Sequence, residues 1–287
     1  MTPTEGAIRW TSCWSVLLRV SVLLLAPTAA HAEDNATSHS DARAADFQTI
    51  DAYVTSQTEA MHIPGVALGI VKGDKIAHLQ SFGVANPAGQ PMTAQTPLIL
   101  GSTTKSITAL AIMQLVEAGR IGLDAPVREY LPWFEVDERL VPSAASTITV
   151  RHLLNQTSGI PTGKGIGASL TDNADETTEE AVQALKKVTV TAPAGTNFQY
   201  SNSNYVILGL VVQTVSRQSY ESYVQEHIFA PLHMQHSFVS ENEAGRHDMA
   251  TGYRWWFGIP IPANLPHSGG AVPAGYLISS AQDMAQY

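Results

Sequence analysis

The segment GSTTKSITALAIMQLVEAG, residues 101–119, is the most informative part of this chain. After Ser102 it is apolar around most of a helical circumference, which predicts a helix over residues 102–118 that belongs in the interior. Gly119 is a plausible stop for that helix, because glycine tolerates the left-handed conformation in which many helices end. Ser102 and Lys105 stand three residues apart, so they share a face and can come within hydrogen-bonding distance.

The start of this helix supplies parts of a site for acyl transfer. Such a site needs a hydroxyl group, a base beside it and N–H donors for the developing oxyanion. Ser102, Lys105 and the free N–H groups of a helix N-terminus fit these three needs. The alternative is a plain helix cap with a solvated lysine, but a solvated lysine fits poorly on a helix this apolar. Lys105 can act as a base only if burial or a nearby cation lowers its pKa from the usual value of about 10.4.

Working outward from this helix, the pattern predicts an α+β chain. Apolar residues recur at helical spacing over residues 46–61. The apolar runs 66–71 and 75–79 flank Lys72-Gly73-Asp74, which predicts a β-hairpin. Further helices are predicted over residues 178–188, 204–215 and 219–229, a loop over residues 163–175, an irregular segment with four prolines over residues 254–273, and a short helix capped by Ser280.

Composition excludes several classes of function. The chain has 287 residues, of which 44% are apolar, and this is enough to bury a substantial core. Its formal net charge of −9 and the lack of a basic run argue against a nucleic-acid partner. The single cysteine, Cys13, can form neither an intramolecular disulfide nor a cysteine-ligated zinc site. His233 and His236 have no further ligand set, so we expect no metal and no organic cofactor.

The N-terminal segment is predicted to be a secretory signal peptide over residues 1–32. Arg9 and Arg19 precede an apolar run over residues 20–26, and Ala30-His31-Ala32 offers the small residues of a cleavage site after Ala32. A membrane anchor is the weaker alternative, because the run is far shorter than the roughly 20 residues of a spanning helix. We therefore expect a periplasmic or secreted protein without a membrane span in its mature part. A flexible tail over residues 33–43 and one domain over residues 44–287 complete the predicted organisation.

Four segments taken together resemble a known family. They are TPLILGSTTKS at residues 96–106, HLLNQTSGI at residues 152–160, Tyr200-Ser201-Asn202, and Pro231-Leu232-His233-Met234. In this order they resemble the serine hydrolases related to class C β-lactamases and penicillin-binding proteins, which include esterases and D-amino-acid peptidases. Gln156 stands where the family usually has histidine, and His233 replaces a usual glycine.

The resemblance implies a fold and a set of roles. The fold would be that of β-lactamases and transpeptidases, an antiparallel sheet flanked by helices together with a mainly helical subdomain. Ser102 would be the nucleophile that forms an acyl-enzyme, and its backbone N–H would be one oxyanion donor. Lys105 and Tyr200 would share the proton transfers, and Asn202 would contact the substrate amide.

The family's third motif is Lys or His, any residue, then Gly, on a strand that edges the active site. His267-Ser268-Gly269 has these letters, but prolines precede it, which is wrong for an interior strand. The stretch over residues 273–285 that follows it also resembles a family segment that comes before the third motif. We therefore expect that His267-Ser268-Gly269 is not this motif, and that the third motif and the last strands of the sheet are missing from the chain.

Two functions from different classes remain open from the sequence. The first is an exported serine hydrolase that cleaves an amide or ester of a small-molecule or peptide substrate through a Ser102 acyl-enzyme. The second is a truncated or non-catalytic homologue that only binds a ligand or partner. The sequence does not separate peptidase, esterase and β-lactamase activity, and it leaves the oligomeric state open.

Overall fold

The computed structural model describes residues 35–161, 174–264 and 267–287. The predicted signal peptide and most of the predicted loop over residues 163–175 lie outside the described residues. The contacts separate two units, residues 1–45 and residues 46–287, and all strands and the hydrophobic core described below belong to the second.

The secondary structure mixes short strands with helices of very different lengths. The helices are α1 (Asn35–Ala60), α2 (Thr104–Glu117), α3 (Val127–Tyr130), α4 (Ala144–Thr147), α5 (Val150–Leu154), α6 (Thr178–Gln183), α7 (Asn202–Ser216), α8 (Tyr220–Val224), α9 (Glu241–Ala244), α10 (Val272–Gly275) and α11 (Ala281–Met284). The strands are β1 (Gly65–Lys72), β2 (Lys75–Gly83), β3 (Leu98–Ile99), β4 (Tyr253–Trp256), β5 (Ile259–Pro262) and β6 (Ile278–Ser279). None of the helices in the described ranges has the length and hydropathy required to cross a bilayer.

The described strands form three two-stranded antiparallel pairs. β1 pairs with β2 from Gly65 opposite Gly83 to Lys72 opposite Lys75, which confirms the predicted hairpin. β4 pairs with β5, and β3 pairs with β6 although about 180 residues separate them in the chain. The β3–β6 pair is the one that positions the candidate site, because α2 begins a few residues after β3.

Two helices form the centre of the core. α7 buries the continuous run of residues 203–212, and at Gly209 it packs so closely on α10 that an added Cβ would lie 2.2 Å from the Cγ of Pro273. α2 buries one face, which includes Ile107, while Met113 on the other side is exposed. α2 is therefore less enclosed than its apolar sequence predicts, although its positive-φ stop at Gly119 is confirmed.

The first helix is longer than predicted. The sequence predicts a tail over residues 33–43 and a helix over residues 46–61, whereas α1 begins at Asn35 and ends at Ala60. Apolar periodicity marks only the part of a helix that packs on something, so it gives no signal for the polar first turns. Alanine has the highest helix propensity and recurs through this segment, which favours extension of a helix once it has formed.

The segment over residues 254–273 is not irregular throughout, so that prediction is wrong in part. Residues 253–262 form the hairpin of β4 and β5, in which Pro260 lies opposite Trp255 and Pro262 opposite Tyr253. Both strands of an isolated hairpin are edge strands, and a proline on an edge removes an N–H group that no neighbouring strand needs.

The remaining helix predictions hold with differences at their ends. α7 confirms the helix predicted over residues 204–215. The other two predicted helices each change type midway, into the 3₁₀ turn Ala184–Lys187 after α6 and into a π turn, Gln225–Phe229, after α8. Ser280 caps α11 as predicted, because its hydroxyl accepts a hydrogen bond from the Asp283 N–H.

Candidate active site

Ser102 lies in the 3₁₀ turn Gly101–Thr103, directly before α2, and its side chain is exposed. The helix predicted from Ser102 onward therefore begins two residues later, at Thr104. Leu277, which precedes β6, holds both ends of this turn. Its carbonyl accepts from the Leu100 N–H at 2.9 Å, and its own N–H donates to Thr104 Oγ1 at 3.3 Å. The β3–β6 pair thus fixes the position of Ser102.

Lys105 lies on the first turn of α2, and only 7% of its surface is exposed. Its Nζ donates hydrogen bonds to Ser102 Oγ at 3.1 Å and to the Ala274 carbonyl of α10 at 2.5 Å. The predicted approach of Ser102 and Lys105 is therefore confirmed. The Ala274 contact was not predictable, because a backbone carbonyl 169 residues away leaves no side-chain signal in the sequence.

Tyr200 reaches the same hydroxyl from the segment before α7. Its OH donates to Ser102 Oγ at 2.6 Å, and the centroid of its ring lies 5.0 Å from Lys105 Nζ. The ring of Tyr205 lies 5.7 Å from the same Nζ, on the first turns of α7. The structure thus brings Ser102, Lys105 and Tyr200 into direct contact, as the resemblance implied. A neutral amine beside a hydroxyl that also receives a phenol proton donor can activate a nucleophile.

Burial lowers the pKa of Lys105 from its usual range, because a charged ammonium loses hydration in the apolar interior. Its interaction with Tyr200 opposes part of this effect and raises the pKa. Burial, together with the electrostatic influence of Tyr200, raises the pKa of Tyr205, whose hydroxyl donates to the Leu154 carbonyl at 3.1 Å. Tyr205 is therefore held as a neutral phenol, and the lowered pKa of Lys105 favours the neutral amine that a base requires.

Asn202 is the first residue of α7, and its Oδ1 is buried without a hydrogen-bond partner among the described residues. No hydrogen bond in this part of the chain joins Asn202 to Ser102, Lys105 or Tyr200. Its contact with a substrate amide stays a prediction. Gln156, which has no role among those predicted from the sequence, accepts from the Ser201 N–H through its side chain. The signal available for it was its replacement of the usual histidine.

His267-Ser268-Gly269 does not belong to any of the described strands. Gly269 begins a 3₁₀ turn, and the Ser268 hydroxyl donates to Glu176 Oε2 at 2.9 Å. The His267 ring meets the Tyr276 ring edge-on, with 5.0 Å between the centroids. That the segment is not the third motif stays a prediction.

Within the described ranges, no group of three or more His, Cys, Asp and Glu side chains could hold a metal ion.

Comparison with known proteins gives a consistent set of similarities. The sequence profile of the Beta-lactamase family matches residues 50–287. Protein flp of Staphylococcus aureus (strain MRSA252) is 31% identical over 242 residues, which is 84% of this chain and 48% of that protein. Among solved structures, the octameric penicillin-binding protein homologue from Pyrococcus abyssi has a TM-score of 0.73 and 32% identity. The match covers 84% of this chain and 55% of the chain of that homologue. A D-amino acid amidase from Ochrobactrum anthropi SV3 has a TM-score of 0.68 and 26% identity, and the match covers 82% of this chain and 67% of the amidase chain.

These matches differ in the share of each relative's length that they cover. The chain spans about half the length of the curated relatives it matches. The similarity covers the segments that carry Ser102, Lys105 and Tyr200, since all three lie within residues 50–287.

Proposed function

The chain belongs to the beta-lactamase family and has the β-lactamase/transpeptidase fold, and from this premise we propose that it is an exported serine hydrolase that cleaves an amide or ester through a Ser102 acyl-enzyme. The observation that carries the proposal is the convergence of two groups on one hydroxyl. Lys105 Nζ and the Tyr200 OH lie 3.1 Å and 2.6 Å from Ser102 Oγ. A helix cap would need neither contact.

The geometry supports a division of roles. In the reactive form Lys105 is neutral, and its Nζ takes the Ser102 hydroxyl proton while Oγ attacks the carbonyl carbon of the substrate. Collapse of the tetrahedral intermediate breaks the bond to the leaving group, which takes a proton from the Tyr200 OH as Tyr200 recovers one from Lys105. Water then attacks the acyl-enzyme by the same steps in reverse, which releases the acid and restores Ser102.

The substrate class rests on the relatives. Penicillin-binding protein homologues and a D-amino acid amidase support an amide substrate, and peptide, β-lactam and carboxylic ester are the three classes that we propose to compare. Asn202, at the start of α7, is proposed to contact the substrate amide, because its unpaired Oδ1 has hydrogen-bonding capacity to spare. Export follows from the predicted signal peptide over residues 1–32, and N-terminal sequencing of the exported protein tests cleavage after Ala32.

Covalent labelling tests the central proposal. The 287-residue chain is incubated with a fluorophosphonate probe, and the intact mass is measured for the parent, Ser102→Ala and Ser106→Ala. Ser106 is a matched control, because it is an exposed serine one turn further along the same segment, with its hydroxyl donating to the Thr103 carbonyl. We expect one adduct on the parent and on Ser106→Ala, and none on Ser102→Ala.

Labelling of Ser102→Ala at the parent rate would refute the assignment. A folded parent that takes no adduct and hydrolyses no D-amino acid amide, β-lactam or activated ester would favour the non-catalytic alternative.

A further inference from the structure

Gln156 holds the segment that carries Tyr200 from both sides. Its backbone carbonyl accepts from the Gln199 N–H at 2.7 Å, and its side-chain Oε1 accepts from the Ser201 N–H at 2.9 Å. Oε1 also accepts from Asn204 Nδ2 at 2.7 Å, on the first turn of α7. One residue thus bonds the neighbours before and after Tyr200 and the helix that follows.

The orientation of the Gln156 amide is fixed by its partners. A backbone N–H can only donate, so the atom that faces Ser201 must be the oxygen. Asn204 Oδ1 is already engaged, because it accepts from the Ser158 hydroxyl at 2.6 Å, and this leaves Asn204 Nδ2 to donate to Gln156. The two bonds to Oε1 therefore require an acceptor with two lone pairs. Gln156 Nε2 is buried and finds no acceptor among the described residues.

Gln156 is also held in an unfavourable backbone conformation. Its φ is +60°, in the left-handed region that non-glycine residues seldom adopt, and only 6% of its surface is exposed. Such a conformation persists only where surrounding contacts enforce it. The three bonds to residues 199–204 are contacts of that kind.

We propose that Gln156 is a positioning residue that keeps the Tyr200 hydroxyl in place over Ser102 by holding the segment 199–201. This inference rests on the proposed function, since it concerns the proton transfers at Ser102. The Tyr200 OH lies at the end of a long side chain 2.6 Å from Ser102 Oγ, so a small shift of the backbone at residues 199–201 changes that distance directly. Misplacement of a catalytic group by about 1 Å can reduce a rate about 100-fold.

The residue type matters for this role. A neutral histidine side chain accepts one hydrogen bond, through the single lone pair of one ring nitrogen. Its unperturbed pKa is about 6.5, and the protonated ring accepts no hydrogen bond. A glutamine amide accepts two bonds and does not titrate. The titratable side chains on the three helices named here are Lys105 and Glu117 of α2, Arg151 and His152 of α5, and Tyr205 of α7, and no Gln156 variant replaces any of them.

The first test removes the acceptor. We expect Gln156→Ala to reduce kcat on an activated ester, and the rate constant of fluorophosphonate labelling, by about 10- to 100-fold with KM within about threefold of the parent. The control is Leu131→Ala, a core truncation at a side chain that is 2% exposed. It lowers the urea midpoint but should leave kcat within about threefold.

The second test replaces the acceptor by others. Glutamate keeps a carbonyl oxygen in either protonation state, so Gln156→Glu should restore kcat to within about fivefold of the parent. Gln156→His should lose activity on acidification, with its kcat relative to the parent falling at least about fivefold from about pH 7.5 to about pH 5.5. The relative kcat of Leu131→Ala should stay flat across that range, because a loss of stability alone does not create this titration.

Retention of more than about half of the parent kcat by Gln156→Ala would overturn the inference. Equal impairment of Gln156→Glu and Gln156→Ala would do the same, as would a flat pH profile for Gln156→His. These outcomes are separate from failure of the proposed function, which would show as undiminished labelling of Ser102→Ala.

Discussion

Replacement of Tyr200 by phenylalanine separates a positional contact from a proton-transfer role. The change removes only the hydroxyl that donates to Ser102 Oγ at 2.6 Å and leaves the ring near Lys105 Nζ. Tyr200 is 38% exposed, so loss of its OH should leave the free energy of unfolding within about 0.5 kcal/mol of the parent. Any large change in rate therefore reports on the chemistry.

The expected size of the effect distinguishes the two roles. A hydrogen bond that only orients Ser102 contributes about 0.5–1.5 kcal/mol, which corresponds to a loss of about 2- to 12-fold in rate. A group that transfers a proton in the transition state contributes about 10²- to 10⁴-fold. Since Tyr200 is proposed to protonate the leaving group, we expect Tyr200→Phe to reduce kcat at least about 100-fold.

The assay measures steady-state hydrolysis of an activated ester and of a D-amino acid amide, together with urea unfolding. Tyr205→Phe is the matched control. It removes the same atom from a second ring near Lys105, but from a hydroxyl that donates to the Leu154 carbonyl. The control should lose about 0.5–1.5 kcal/mol of stability and keep its kcat within about threefold. Equal losses in the two variants, or a loss below about tenfold in Tyr200→Phe, would refute the reasoning.

Further changes of pH and of sequence test other parts of the structure. Because burial lowers the pKa of Lys105, the rate constant of Ser102 labelling should rise with pH along a limb whose midpoint lies below 10.5, and a midpoint at or above that value would contradict a buried base. The folded chain then binds fewer protons than the unfolded chain between the lowered pKa and 10.5, so stability should rise with pH in that window and Lys105→Met should abolish the rise. Gly209→Ala should reduce the free energy of unfolding by at least about 1–3 kcal/mol, measured by urea unfolding, because the added methyl group would lie 2.2 Å from the Pro273 ring. Asp283→Ala should cost about 1–3 kcal/mol in the same measurement, because the His236 backbone N–H and the buried Ser237 hydroxyl, which donate to the carboxylate at 2.6 Å and 2.8 Å, would lose their acceptor, and an unchanged midpoint would contradict this contribution.

The parts of the fold that the sequence predicted are those fixed by local patterns. The β1–β2 hairpin follows from two apolar runs around Lys72-Gly73-Asp74, and α7 follows from its continuous apolar run. The first turns of α1 and the β4–β5 hairpin escaped prediction for opposite reasons. The former lack apolar periodicity, and the latter contains prolines that only an edge strand accommodates.

The candidate site divides in the same way. Ser102 and Lys105 are three residues apart and therefore lie on one face of a helical turn, so the spacing alone predicted that their side chains approach each other. The role of Tyr200 came only from the resemblance, because 98 residues separate it from Ser102. Gln156 was visible as a departure from the family pattern, but the sequence did not indicate which groups its amide would meet.

The sequence by itself determined the local elements and, through its motifs, the family. Tertiary structure alone decided which backbone groups meet these residues. Examples are the Ala274 carbonyl at Lys105 Nζ, and the backbone N–H and carbonyl of Leu277, which bond the residues on either side of the Ser102 turn. It also decided the burial that lowers the pKa of Lys105. The physical reason is that backbone amides and carbonyls are the same in every residue. Their partners and their degree of solvation are set by how distant segments pack, and not by the side chains that the sequence spells out.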